Sequence, residues 1–377
     1  MQVQLANGTF KTTTLIRITA IAWFFGKIMS WKLWLSDRLF PLVAPIDIFP
    51  EFSNDVHFFL LLFSLTGLLL VVVFPKKTVL ILAVLLLEIT SCALDQLRWQ
   101  PWEYQYLLTF FFCFLYRKDV RGFIDAMSLL LIATYIFSGL HKFNPAFLSN
   151  VWDNLFLHKL FGFTDIHPVL HYSGILLPVA EILSGIGLLF SKNKKPFVVL
   201  TLLMHAFLLM VLGPAGLHLN SVIWPWNAAM MLLVYSLFFN KEQPVFSSHY
   251  FLQMQQLPVI LFAVILPATH FLGFWPGYLS FKLYSGHPKN LAICIKTLEQ
   301  TPQLTPFVSV QNSPYCQGLQ TINAAKWVFT ELNVPIYAEE SYYKKLKKSW
   351  IQKFPQTQSH FMIFEYPSKP ENIKEIP

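Results

Sequence analysis

Charged residues are scarce in this sequence. Of 377 residues, 28 are Lys or Arg and 20 are Asp or Glu, together 13% of the chain, whereas a typical soluble domain carries about 25%. Hydrophobic residues make up 55%, so the chain has too few polar side chains to cover the surface of a soluble protein. The composition therefore excludes a disordered chain, a collagen, a coiled coil and an ordinary cytosolic enzyme.

Regular alternation of apolar and polar residues is also missing, and with it the pattern of a β-barrel. The apolar residues instead form continuous runs of the kind that membrane-spanning helices require. We therefore predict an all-α polytopic membrane bundle, embedded in the lipid bilayer, over residues 1–280. Nine runs are predicted to span the membrane, at 13–34, 56–74, 78–94, 105–117, 122–140, 168–190, 196–216, 222–239 and 258–279.

Long basic runs are absent although the net charge is +8, and this excludes nucleic acid as a partner. Most basic residues before 280 lie in short loops, as topology determinants do. With a cytoplasmic N-terminus, five basic residues fall in outside loops, and nine fall inside: Lys76, Lys77, Arg117, Lys118, Arg121, Lys192, Lys194, Lys195 and Lys241. We therefore predict a cytoplasmic N-terminus and, with an odd helix count, an extracytoplasmic C-terminal domain. A count of eight would keep the same loop assignments.

The long apolar runs stop near residue 280. Beyond it, Pro, Gln, Ser and Thr separate shorter elements. The pattern predicts strands at 291–295, 307–310 and 361–366 and helices at 321–332 and 339–354. Together they predict a small extracytoplasmic α+β domain over residues 281–377, close to the lower size limit for independent folding.

Cysteine is rare too, with four residues in the chain. Cys92 and Cys113 fall in predicted helices, where Cys is usually a small buried apolar residue. Cys294 and Cys316 lie in the domain that we place outside the cytoplasm, where disulfides persist. Two interpretations stay open for this second pair, a disulfide bond or two free thiols.

Ionisable residues inside apolar runs are the first functional candidates, because a charge in the membrane is costly. Glu88, Glu181, His205 and His270 are of this kind. Each can also pair with a neighbour and hold the bundle together without any further role.

The segment with the most candidate functional groups is 135–145, with the sequence YIFSGLHKFNP. Gly139 permits close approach of another helix, and His141 and Lys142 end the apolar run. A Lys in this place can reach the lipid headgroups as an anchor. A partly desolvated amine beside an imidazole can instead act as a base. Lys142 and His141 are therefore our candidate catalytic residues.

Two other stretches, 94–106 and 212–227, place polar groups on the same extracytoplasmic side under this topology. Part of each is an aromatic belt, which needs no function. The convergence of all three stretches on one leaflet nevertheless indicates a binding site. Its candidate residues are Asp95, Arg98, Trp99, His205, His218 and Asn220, and no metal site is predicted.

These stretches resemble the vitamin K-dependent γ-glutamyl carboxylases and the bacterial horizontally transferred transmembrane (HTTM) domains related to them. Segment 135–145 is similar to a carboxylase segment in its Tyr, Gly and Lys. Segment 94–106 is similar to another in its Leu-Asp, its following Trp and its Tyr-x-Tyr. Residues 170–190 resemble the next carboxylase helix, and His205 falls on the His of the helix after it. The resemblance covers roughly residues 90–240.

The resemblance implies a specific chemistry. In the carboxylases, the Lys that matches Lys142 is the base that deprotonates a reduced quinone. Oxygen then yields a strongly basic quinone alkoxide, which removes a glutamate γ-proton before CO2 adds. The implied cofactor is a reduced, vitamin K-like quinone, and the implied partners are a quinone or a peptide substrate. The chain departs from the family pattern where Trp102 replaces a His, and where the peptide-binding portion shrinks to roughly 90 residues.

Three functions of different classes follow as hypotheses. The leading one is a quinone-linked membrane enzyme, an oxidoreductase or a carboxylase-type lyase, with its site at the extracytoplasmic leaflet. The second is a non-catalytic scaffold or accessory protein that resembles the DoxX-type four-helix modules. The third is a small-molecule transporter, which helix-breaking residues at 214–216 and Pro267 favour.

Overall fold

A computed structural model describes residues 2–46, 51–240, 254–286, 288–299, 301–309, 315–365 and 372–377. The chain divides into two compact units whose segments interleave along the sequence. The first unit contains Met1–Ile28, Leu62–Ile89 and Gln100–Gly286, and the second contains Met29–Leu61, Thr90–Trp99 and His287–Pro377. The predicted domain boundary at residue 280 stays a prediction.

All nine apolar runs are helical, as the sequence predicts. A π-helix at Phe147–Leu160, which the sequence analysis does not predict, lies between the fifth and sixth of them. The run at 168–190 is interrupted near Gly174 and forms two helices. The helices are α1 Gln2–Met29, α2 Asn54–Val73, α3 Thr78–Leu94, α4 Pro101–Leu115, α5 Val120–Lys142, α6 Pro168–Ser173, α7 Leu176–Phe190, α8 Lys195–Leu212, α9 Ile223–Phe238 and α10 Leu257–Leu272.

The predicted count of nine spanning helices is not supported. Among the described residues, four helical segments are long and apolar enough to cross a membrane: α2, α5, α6 with α7, and α8. A span needs about 20 residues, and α4 has only 15. Helix α1 is long enough, but Lys11, Arg17 and Lys27 interrupt its apolar character. The remaining apolar helices, α3, α9 and α10, have between 10 and 17 residues.

A buried ion pair joins α1 to α3. Lys27 Nζ lies 2.7 Å from a Glu88 carboxylate oxygen, and both side chains are at most 1% exposed. The Ser64 hydroxyl on α2 donates to the other Glu88 oxygen. A lone charge in this apolar surrounding would be costly. The pair therefore explains how Glu88 and Lys27 are accommodated inside apolar helices.

The second unit contains a four-stranded antiparallel sheet in the order β2-β1-β3-β4. Its strands are β1 Asn290–Ile295, β2 Gln320–Asn323, β3 Ser359–Phe364 and β4 Ile373–Glu375. Two helices accompany the sheet, α11 Ala324–Leu332 and α12 Glu340–Lys353. Trp327 of α11 and Trp350 of α12 meet edge to face in the core, with ring centroids 5.8 Å apart. A small α+β segment is therefore present, as predicted.

Three predicted elements of this segment have other bounds. Pro302–Phe307 is a 3-10 helix that includes the first residue of the predicted strand 307–310, and among the described residues of that strand Val308 forms an isolated bridge with Ile322. The helix predicted from 321 begins at Ala324, because the Asn323 side chain caps it by accepting the Lys326 N–H. Residues 310 and 366, which end two of the predicted strands, lie outside the described residues. The loop residue Lys241 lies outside them as well.

Cys294 on β1 and Cys316 are joined by a disulfide bond, with Cα atoms 5.3 Å apart. This decides between the two interpretations that the sequence leaves open. Cys92 and Cys113 are buried and are not disulfide-bonded, and their burial is as predicted.

Replacing Cys294 with Ser is expected to lower the free energy of unfolding of the second unit by about 3 kcal/mol, because the bridge closes a loop across 22 residues. Denaturant unfolding followed by Trp fluorescence measures the loss. The Cys294→Ser/Cys316→Ser double variant should lose no more than the single variant, and reduced wild type should match both. Equal unfolding midpoints for oxidised and reduced wild type would contradict the prediction.

Candidate functional site

The first unit contains an apolar cavity bounded by α5, the π-helix, α7, α8, α9 and residues 281–284. About 90 Å³ of it is open to the centre of a water molecule, several times the 10–15 Å³ that one water needs. Aromatic and aliphatic side chains form most of the wall, among them Phe147, Val151, Leu155, Phe156, Leu177, Met204, Leu208, Leu212, Ile223, Trp226, Met230, Phe281 and Leu283. Such a cavity fits a small apolar molecule better than a chain of waters.

The polar part of the wall begins with Lys142 and Glu181. Lys142 Nζ lies 2.8 Å and 2.7 Å from the two Glu181 carboxylate oxygens and 2.6 Å from Ser138 Oγ. Both charged side chains are at most 10% exposed. An ammonium group has three hydrogens, and these three acceptors use all of them. Lys142 is thus held in place by the pair, and acid–base chemistry here would involve Glu181 as well.

Small residues bring the two charged helices together. A Cβ at Gly139 would lie 2.6 Å from Ile182 Cγ1 and 2.9 Å from the Pro178 carbonyl oxygen. A Cβ at Gly185 would lie 2.5 Å from Ile136 Cγ1. No real side chain fits these distances, so glycine is what allows α7 to pack directly on α5. The close approach predicted for Gly139 is therefore present, and it sets Lys142 opposite Glu181.

Helix α5 ends at Lys142 because of the residues that follow it. Pro145 cannot continue a helix. The Asn144 amide donates to the His141 carbonyl oxygen at 2.9 Å, and its oxygen accepts the Phe147 N–H at 2.9 Å. The Asn144 side chain thus caps both the end of α5 and the start of the π-helix. Lys142 also lies in the last turn of α5, where the helix dipole favours a cation.

The π-helix supplies one wall of the cavity. Its lining residues Phe147, Val151, Leu155 and Phe156 fall at i, i+4, i+8 and i+9, so they recur about once per turn of the wider i→i+5 helix. The run is shorter than a span and includes Asn150 and Asp153. The criterion of a long apolar run therefore does not identify this helix, although the spacing of its apolar residues is visible in the sequence.

A hydrogen-bonded chain of three side chains forms the rest of the polar wall. Tyr135 Oη lies 2.8 Å from His205 Nε2, and His205 Nδ1 lies 2.7 Å from Asn227 Oδ1. The Asn227 amide nitrogen donates to the Ile223 carbonyl oxygen at 2.8 Å. All three side chains line the cavity and are at most 6% exposed.

Of the predicted site residues, Lys142 and His205 line this cavity together. Asn220 reaches it indirectly, because its amide donates to the hydroxyl of the lining residue Tyr284 at 2.9 Å. Burial raises the pKa of Tyr284 to about 12, although the Asn220 hydrogen bond lowers it in part. Tyr284 is thus a neutral hydroxyl at physiological pH and can donate a hydrogen bond.

Two predicted residues of the first unit, His141 and His218, do not line the cavity. His141, predicted as catalytic beside Lys142, stacks on Phe271 with ring centroids 4.7 Å apart and meets His270 at 4.9 Å. Successive residues of a helix point in different directions, which is why His141 and Lys142 have different neighbours. His218 packs against the ring of Trp224 at 5.2 Å.

Asp95, Arg98 and Trp99 belong to the second unit. Asp95 accepts from Arg38 at 2.6 Å and from the Leu97 N–H at 3.2 Å. Arg98 donates to the carbonyl oxygens of Leu33, Ser91 and Trp34, to Ser91 Oγ and to His57 Nδ1, all within 3.2 Å. Trp99 ends the short 3-10 helix Gln96–Arg98. Asp95 and Arg98 are fully buried, and the hydrogen bonds named here are made within the protein.

The site residues that the sequence analysis did not select as candidates are Tyr135, Ser138 and Asn227, whereas it named Glu181 only as one of four ionisable residues in apolar runs. Tyr135, Ser138 and Lys142 are spaced i, i+3 and i+7, which places them on one face of α5, and this spacing is visible in the sequence. Glu181 is recognisable as an ionisable residue in an apolar run, but nothing in the sequence names its partner. No group of three metal-binding side chains occurs in the described part of the chain.

Comparison with known proteins returns nothing: no family model, no curated protein and no solved structure matches this chain.

Proposed function

We propose that this is an integral membrane enzyme of the carboxylase-like type, and that the apolar cavity binds a quinone or its reduced form. The observation that carries the proposal is the Lys142–Glu181 pair, buried on the wall of an otherwise apolar cavity. A buried ion pair contributes little net stability compared with apolar residues of the same volume. Ionisable side chains buried in the wall of a cavity are candidates for a functional site.

The residues of the cavity suit a quinone ring. Phe147, Phe156, Trp226 and Phe281 offer aromatic surface for a flat apolar ring. On the polar wall, the Tyr284 hydroxyl can donate to a ring oxygen, and the Glu181 carboxylate can accept from a hydroxyl of the reduced form. A bound quinone would supply reversible exchange of electrons and protons. Walls of this composition with a few placed polar groups are the usual form of cofactor sites.

The chain's own part in the chemistry is proton transfer at the pair. Glu181 Oε2 can accept a proton from a hydroxyl in the cavity, while Lys142 stays hydrogen-bonded to the carboxyl group and to Ser138. The apolar wall keeps bulk water away, so a proton that leaves a ligand stays on the protein. The resemblance to the carboxylases gives Lys142 the role of the base. The geometry supports a modified role in which Lys142 and Glu181 share it.

We further propose a cytoplasmic N-terminus and an extracytoplasmic C-terminal segment. The basic loops at 76–77, 117–121 and 192–195 favour this orientation. The Cys294–Cys316 bridge also supports it, because disulfides persist outside the reducing cytosol.

Reporter fusions test this orientation directly. A fusion after Pro377 is expected to report an extracytoplasmic location, and one inserted at 193–195 a cytoplasmic one, because positive loops stay inside. Paired alkaline phosphatase and green fluorescent protein fusions give opposite signals on the two sides. The same signal at both positions would rule out the orientation.

The quinone proposal is tested on protein purified in mild detergent. Organic extraction and mass spectrometry are expected to detect an isoprenoid quinone, and added menadione is expected to quench the fluorescence of Trp226 in a saturable way. The variant Lys142→Met/Glu181→Met should bind more weakly, because it lacks the charged pair of the polar wall. Arg121→Met is the matched control, since Arg121 lies at the exposed start of the same helix. Absence of both extracted quinone and saturable quenching would favour the scaffold or transporter hypothesis.

A further inference from the structure

The hydrogen bonds that link Tyr135, His205 and Asn227 have a defined donor-to-acceptor direction. Asn227 donates through its nitrogen to the Ile223 carbonyl oxygen, which can only accept, so its oxygen faces His205. His205 Nδ1 must then carry a hydrogen, and Nε2 of the neutral ring is an acceptor. Tyr135 consequently donates its hydroxyl hydrogen to Nε2 at 2.8 Å. The lone pairs of the Tyr135 oxygen remain able to accept a hydrogen bond from a molecule in the cavity.

The hydrogen-bonded series Tyr135–His205–Asn227 is the second polar group on the cavity wall. Helix α5 fixes its distance from the first polar group, the Lys142–Glu181 pair. Tyr135 and Lys142 are seven residues apart on α5, which is two turns and about 10 Å along the helix axis. Both line the same cavity. A flat molecule that lies along α5 can therefore face a different polar group at each end.

We infer that Tyr135 and His205 form a second proton-transfer group, and that the cavity takes an aromatic molecule with two hydroxyl groups, one for each polar group. This inference rests on the proposed quinone site and deepens it. A ligand O–H gives its proton to Tyr135 Oη as the Tyr135 proton passes to His205 Nε2. The ligand oxygen becomes an oxyanion and His205 an imidazolium, so charge and protons balance. Asn227 accepts from Nδ1 and holds the ring in place, which makes it a positioning residue.

Two naphthols distinguish this role from a structural one. 1,4-Dihydroxynaphthalene, handled without oxygen, has two hydroxyls, and its monomethyl ether 4-methoxy-1-naphthol has one. The variant Tyr135→Phe is expected to weaken binding of the dihydroxy compound by about ten-fold, the value of one good hydrogen bond, and binding of the ether by less than about two-fold. The ether places its single hydroxyl at Lys142 and Glu181, so it does not need Tyr135. A merely structural Tyr135 would weaken both ligands equally.

Two further variants complete the experiment. Tyr104→Phe is the matched control, because the Tyr104 hydroxyl donates to the Phe262 carbonyl oxygen and does not line the cavity. It should leave the ratio of the two affinities unchanged. Asn227→Leu removes the acceptor at His205 Nδ1, so it should lower the affinity for the dihydroxy compound relative to that for the ether, as Tyr135→Phe does. Asn227→Asp keeps an acceptor and should leave this relative affinity at the wild-type value.

The outcomes separate this inference from the proposal beneath it. If neither naphthol binds wild type, the quinone site and the second proton-transfer group are both wrong. If both bind but Tyr135→Phe affects them equally, the quinone site stands and the second group is wrong. Ligand-dependent loss with Tyr135→Phe, together with rescue by Asn227→Asp, supports the inference.

Discussion

Replacing Lys142 with Ala is expected to destabilise the protein by about 3–5 kcal/mol, because Glu181 would be left buried without its counter-charge. Both side chains are at most 10% exposed, and the carboxylate oxygens lie within 2.8 Å of Nζ. Cys92 and Cys113 are buried thiols outside the disulfide bond, so a thiol-reactive fluorophore reports thermal unfolding in detergent. The same variant should lose quinone binding.

The double variant Lys142→Met/Glu181→Met separates stability from function. Apolar residues of similar volume replace a buried ion pair at little or no cost, so this variant should unfold near the wild-type temperature and still fail in quinone turnover. Lys142→Arg keeps the charge and the ion pair, but Arg does not give up its proton. Wild-type turnover by Lys142→Arg would show that Lys142 is an anchor and takes no part in proton transfer.

Replacing Arg98 with Lys is expected to destabilise the second unit by at least about 3 kcal/mol, although the charge is kept. Arg98 donates to three backbone carbonyl oxygens, from Leu33, Ser91 and Trp34, within a fully buried site. A Lys ammonium has one nitrogen and cannot reach all three, and each buried acceptor without a partner costs about 1–3 kcal/mol. Denaturant unfolding of the purified variant measures the loss.

Arg117→Lys is the matched control for Arg98→Lys. Arg117 donates to one carbonyl oxygen, that of Phe114, in an exposed position, so its replacement should change the free energy of unfolding by less than about 0.5 kcal/mol. If Arg98→Lys also unfolds like wild type, the network around Asp95 and Arg98 contributes no stability, and a functional role for these residues becomes open again.

The candidate site shows where sequence reasoning succeeds. Lys142 and His205, chosen from local patterns, do line one cavity. Both lie on apolar helices, where an ionisable group is conspicuous because it is costly. His141 stands beside Lys142 in the sequence, but it packs on Phe271 and His270 instead. Adjacency in sequence does not mean adjacency in space on a helix, since side chains three and four apart share a face.

The grouping of Asp95 and Arg98 with Lys142 shows where sequence reasoning is insufficient, because they do not line the cavity that Lys142 lines. A polar cluster at the end of an apolar run has the same pattern whether it faces a ligand or a network of backbone carbonyls. Burial decides between the two, and Arg98 is fully buried with every donor group bonded within the protein. Burial depends on residues far away in the chain, such as Leu33 and Trp34, which lie 65 and 64 positions from Arg98 and which no local window includes.

The sequence by itself determined the helical nature of all nine apolar runs and the presence of a small α+β segment, because apolar continuity and turn residues act locally. Only the tertiary structure decided which side chains meet: Lys142 with Glu181, Tyr135 with His205, and Cys294 with Cys316. It also reduced nine predicted spans to four helices of sufficient length and apolarity among the described residues. These pairings join residues that are distant in the chain, and they depend on packing such as that of Gly139 against α7, which composition and periodicity do not encode.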